Sequence, residues 1–166
     1  MFKKILNYFK IRKLFNEAIF LKDEKEEYDK ALKLFEDILK YSKDDEYTII
    51  SIAEIYIKKN EHNKAIEYIN KVIGEYNNNP VVHIIKGIAL YNLELLEDAE
   101  INLLKGLEFD KIHPVANYYL GLLNIKQKKY EKASEYFEIV IAEKPNFILS
   151  RVLVSVEKNF IDNNII

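Results

Sequence analysis

Along most of the chain, apolar residues recur at spacings of three and four, the period at which side chains share one face of a helix. Ala31, Phe35 and Ile38 form one such set, and Ala133, Phe137 and Val140 form another. Polar stretches such as "KDEKEE" (residues 22–27) and "DDE" (residues 44–46) fall between the sets. Only four glycines and three prolines punctuate the chain, widely spaced. This pattern predicts long helices rather than hairpins.

The sets themselves repeat. Ala31, Ala65, Ala99 and Ala133 stand 34 residues apart, and so do Tyr28, His62, Leu96 and Tyr130. Phe35, Ile69, Leu103 and Phe137 keep the same phase, as do Ile38, Val72, Gly106 and Val140. An upstream series of small residues, Ala53, Gly87 and Gly121, extrapolates to Ser155. Each unit therefore reads as two helices joined by a short polar turn, with "YYLGLLNIKQKKYEKASEYFEIVIAEKP" (residues 118–145) the clearest copy. A small residue in the first helix lets the alanine of the second approach closely, while large side chains fill the gaps on either side. Pro80 and Pro114 open the third and fourth units, where a first-turn proline loses no helical hydrogen bond. Asn79 and His113 precede them, and Asn is the better cap.

A 34-residue helix–turn–helix with these positions resembles the tetratricopeptide repeat, over roughly residues 12–160. The resemblance implies an all-α fold, a right-handed superhelical solenoid of repeats closed by a C-terminal capping helix. Residues 1–166 are then one array, with repeats at about 12–45, 46–79, 80–113 and 114–147 and a capping helix at about 148–160. The first unit departs from the pattern. Ile19 stands where the small residue is expected, with Ala18 beside it, so either the helix is shifted or the turn absorbs an extra residue. Lys86, Asn117 and Asn124 stand where the family carries large apolar or aromatic side chains.

Composition narrows the function. The net charge is −2, and the basic residues are nearly all lysine, with Arg12 and Arg151 the only arginines. Arginine supplies the planar fork that reads phosphate and guanine, so a nucleic-acid partner is not expected. The fixed period and apolar first helices argue the same way against the base-reading pentatricopeptide arrays. With no cysteine there is no disulfide, thiolate metal site or cysteine nucleophile. Apart from chance acidic neighbours, His62, His83 and His113 lack the paired spacing of a helical metal site, and no phosphate-cradling loop, nucleophile elbow or apolar acid pair is present. Acidic runs at helix starts serve the helix dipole. The expectation is no enzyme, no cofactor and no metal.

In tetratricopeptide arrays the first helix of each unit lines the concave side; the resemblance implies the same here. The corresponding positions are Tyr47, Ile50, Glu54 and Ile57, then Val81, Ile84, Ile88 and Tyr91, then Val115, Tyr118, Leu122 and Ile125. All but Glu54 are apolar or aromatic. Family members that grip the carboxylate end of chaperone tails use lysine, asparagine and arginine at such places; these are absent, so that clamp is not expected. The stripe is read in two ways: as core within a tight superhelix, or as an apolar groove for a helical or hydrophobic segment of another protein. Tyrosines suit such a surface, since they combine contact area with a polar tip. The expected function is a non-catalytic, cytoplasmic adaptor, scaffold or assembly chaperone.

Residues 1–15, "MFKKILNYFKIRKLF", carry five positive charges and no negative one. The lysines recur too often for a signal peptide or a membrane span. On a helix, Phe2, Ile5, Leu6 and Phe9 form one stripe, whereas Ile11, Leu14, Phe15 and Ala18 fall on nearly the reverse face. This predicts a separate basic amphipathic helix over residues 2–10. It would dock on the array, on a second copy in a homo-oligomer, or on an anionic membrane surface. The alternative function is accordingly a self-associating or membrane-peripheral scaffold.

Overall fold

The structure is a computed structural model that describes residues 2–143, with side chains from Asn7 onward. The expected capping helix at 148–160 lies outside the described residues. Eight helices and no strand occur among the described residues: α1 (Phe2–Asp23), α2 (Tyr28–Leu39), α3 (Glu46–Lys58), α4 (His62–Val72), α5 (Pro80–Asn92), α6 (Leu96–Phe109), α7 (Pro114–Lys126) and α8 (Tyr130–Glu143).

First-helix starts are set by local chemistry. The Asp45 carboxylate accepts from the Thr48 amide at 2.9 Å, and the Asn79 side-chain Oδ1 accepts from the Val81 amide at 2.8 Å. Each satisfies a donor that the first helical turn leaves without a partner. Pro80 and Pro114 then occupy the first turns of α5 and α7.

The turns inside each unit share one device. Glu26, Asn60, Glu94 and Lys128 all have positive φ, between 52° and 61°, and they recur at the repeat period. In units two to four the following amide reaches back five residues, Glu61 to Tyr56, Leu95 to Leu90 and Lys129 to Asn124, which closes the end of the helix. In unit one the equivalent bond runs from Glu27 to Leu21, six residues back. The turn therefore absorbs the extra residue, and Ala18, fully buried, is the small residue of unit one while Ile19 is half-buried.

Packing follows the units. Each first helix lies against the second helix of its own unit, and each second helix touches the next first helix. First helices also touch one another in the series α1, α3, α5 and α7, whereas among the described residues no second helix touches another second helix. A two-layer array whose one layer is in mutual contact and whose other layer is splayed must curve, with the first helices on the concave side. Close approach is visible at Gly121, where an added Cβ would sit 2.1 Å from Cε1 of Phe137. Ala31, Ala65, Ala99 and Ala133 are all buried, with the aromatic and aliphatic side chains of the repeat around them.

One expectation is corrected here. Residues 2–10 do not form a separate helix; α1 runs unbroken from Phe2 to Asp23. Nothing in "LNYFKIRKL" breaks a helix, so hydrogen bonding continues through the change of face. Ile11, Leu14 and Phe15 pack into the core beside Ala18, and the Phe15 ring meets Phe35 edge-on at 5.7 Å. Tyr8 and Phe9 remain exposed.

Candidate peptide groove

The concave side holds a cleft of about 610 Å³ that runs from the first turn of unit one across α3 and α5 to the start of α7. Its floor is apolar, built by Ile57, Val81, Ile84, Ile85, Ile88 and Val115, with the Tyr28 and Tyr119 rings beside them. Its polar boundary comes from Lys22, Asp23, Glu26, Glu54, Lys58 and His113. Lys22 Nζ sits 2.5 Å from Glu54 Oε2 and 3.4 Å from Asp23 Oδ1. That contact ties α1 to α3 across one wall.

Of the twelve first-helix positions, Glu54, Ile57, Val81, Ile84, Ile88 and Val115 border the cleft. They do so unequally. Val115 is 37% exposed and Val81 half-buried, but Ile84 and Ile88 are buried among Leu103, Ala116 and Leu120 between units three and four. Ile50 is buried in the core of units one to three. The other five lie elsewhere. Tyr47 is exposed at the start of α3. Tyr91 meets Tyr119 edge-on at 5.4 Å, with Lys126 Nζ 4.7 Å above its ring. Tyr118, Leu122 and Ile125 pack on Ala133 and Phe137 of the same unit. The repeat phase explains the split: in a staggered array the same stripe faces the next unit along part of its length and the concave opening along the rest. Ile85 and Tyr119, one repeat apart, also line the cleft and were both missed, since the register ties them only to each other. The contribution of the unit-one turn carried no such signal, because the extra residue there breaks the phase.

The titratable groups are tuned structurally. Burial raises the Tyr118 and Tyr119 phenols above their ordinary range, and likewise Tyr91, where Lys126 opposes it. Asp29 is held below the usual carboxylate range by its hydrogen bond with Lys59. Among the described residues no three His, Cys, Asp or Glu side chains gather to hold a metal ion. No described helix is long and apolar enough to cross a membrane.

Residues 24–106 match the family described as anaphase-promoting complex, cyclosome, subunit 3, and residues 115–146 match the tetratricopeptide repeat. The chain belongs to the tetratricopeptide repeat family. A curated relative, the TPR repeat-containing protein MJ1428 of Methanocaldococcus jannaschii, is 31% identical over 118 residues, 69% of this chain. Those residues make up 20% of the relative, so the chain spans about a fifth of that protein's length. Among solved structures, MamA superposes with a TM-score of 0.70 at 22% identity, covering 92% of this chain and 85% of that one. The first repeat domain of Spaghetti (RPAP3), solved bound to the HSP90 peptide SRMEEVD, gives 0.65 at 18% identity, over 70% of this chain and 94% of that one. At these identities the two structures share the fold with this chain. Neither matched family model describes an enzyme.

Proposed function

We propose that this array is a non-catalytic adaptor that holds a short apolar or helical segment of another protein in its concave cleft. One observation carries the reading: an open apolar floor shared by three consecutive first helices, with charged side chains at its edge. A cleft of this size receives two or three apolar side chains rather than a whole helix, and the charged edge orients what flanks them. The use of this fold to hold a peptide in the RPAP3 domain supports the same kind of partner. Without the lysine–asparagine–arginine set of the carboxylate clamp, the anchors are apolar side chains rather than a chain end.

Peptides selected by display against the immobilised protein test this, with affinity measured by fluorescence anisotropy. Val115→Glu puts a carboxylate on the exposed part of the floor and Val81→Glu on its half-buried part, and each is expected to weaken the best peptide at least about tenfold. Tyr47→Glu, exposed and away from the cleft, is the control and leaves affinity unchanged. Equal binding by all three, with helicity intact, places the ligand on another face.

A further inference from the structure

We propose that the solvent-facing side of α1 docks the protein on an anionic bilayer surface. The helix has two opposed faces. Ala18 is fully buried and lies nine residues, two and a half turns, from Phe9, so Phe9 points directly away from the array. Phe20 lies eleven residues from Phe9, three turns on, and shares that outer face. Phe9 is 60% exposed, Phe20 51% and Tyr8 61%, and the Tyr8 and Phe9 rings meet edge-on at 5.8 Å. Arg12, Lys13 and Asn16 are exposed between the two phenylalanines.

Charge selects the occupant. Residues 1–15 hold five of the 25 basic residues and none of the 27 acidic ones, which leaves 20 basic against 27 acidic in the remainder. A basic, aromatic helix carried on an acidic body is attracted to an anionic surface through one side only, so attraction also sets orientation. The interleaving of Lys13 and Arg12 with the rings favours lipid over protein. Long basic side chains reach mobile headgroups while neighbouring rings enter the acyl boundary, whereas a protein interface would have to present acids in register or leave those charges buried. The concave cleft of a second copy has three acids at its edge, Asp23, Glu26 and Glu54. Lys22 already holds two of them, Glu54 at 2.5 Å and Asp23 at 3.4 Å, and Lys58 stands at the same edge, so the cleft offers little net negative charge. The anchor is rigid because Ile11, Leu14, Phe15 and Ala18 hold the same helix in the core.

Co-flotation of the full chain with phosphatidylcholine vesicles, with and without phosphatidylglycerol, tests the proposal. Binding is expected to the mixed vesicles alone and to fall as salt rises. Phe9→Glu with Phe20→Glu, and separately Arg12→Glu with Lys13→Glu, should each reduce partitioning by about tenfold or more. All four positions are exposed, so circular dichroism stays that of the parent and the cleft's affinity for a selected peptide is unchanged. Absence of flotation, equal flotation with neutral vesicles, or indifference to both double variants overturns the proposal. So does sedimentation as a dimer that Phe9→Glu abolishes, with no vesicle binding, which assigns the face to a second copy.

Discussion

At the level of single residues, two buried polar side chains, His83 and Asn117, are ties between units. His83 is almost completely enclosed, its Nε2–H donates to the Asn77 carbonyl at 2.8 Å, and its ring stacks with Phe109. One repeat later, Asn117 donates from Nδ2 to the Lys111 carbonyl, the same six residues back, at 3.3 Å, and to His113 at 3.0 Å. Both pin the loop that enters a first helix, which explains polar residues at core positions. Burial, aided by Lys105 and Lys86 and opposed by the Asn77 bond and Glu108, holds the His83 pKa below its ordinary value. The unfolded chain therefore binds this proton more readily than the fold does. His83 contributes full stability above its ordinary pKa near 6.5, and that contribution is lost as pH falls below it. His83→Asn keeps the carbonyl bond and removes the titration. Melting of the variant is expected to vary less than the parent's between about pH 8 and about pH 5. Identical pH profiles would show that His83 is not a titrating tie.

At the level of elements, the strained point of each unit is its turn. A residue with a side chain costs about 1–2 kcal/mol in the left-handed region, and glycine escapes this at an entropy cost of about 0.5–1 kcal/mol. Lys128, with φ of 59°, is exposed in the last intra-unit turn. Lys128→Gly is expected to stabilise the protein by about 0.5–1 kcal/mol in urea denaturation. Asn60, also at 59°, tolerates the region already, so Asn60→Gly should gain less. If the two substitutions have equal effects, backbone strain is not what distinguishes these turns.

At the level of the whole molecule, contacts among the described helices join only neighbouring units, so damage should stay local. Gly121→Ala forces a Cβ against the buried Phe137 ring and is expected to cost about 1–3 kcal/mol. Amide hydrogen exchange should then lose protection in α7 and α8 while α3 and α4 keep theirs. Uniform loss along the array would mean that the units unfold as one block.

The repeat, its phase, the helical pairs and the family were all legible in the residues, because a core of close-packed helices demands small and large side chains at one spacing. The cleft was only partly legible. Ile57, Val81 and Val115 could be placed on the first helices, but whether a first-helix position meets water or the next unit depends on the stagger between units, which no single repeat encodes. Ile50 went into the interior for that reason, and Ile84 and Ile88 border the cleft while almost wholly buried. Lys22 and Asp23 border the cleft as Ile57 and Lys58 do, but the extra residue in the unit-one turn puts them one place out of phase with the repeat. The opposed stripes of α1 were written in the chain. That one helix carries both, burying one face and exposing the other, was decided by the continuity of its backbone and by the single array face available to pack against it.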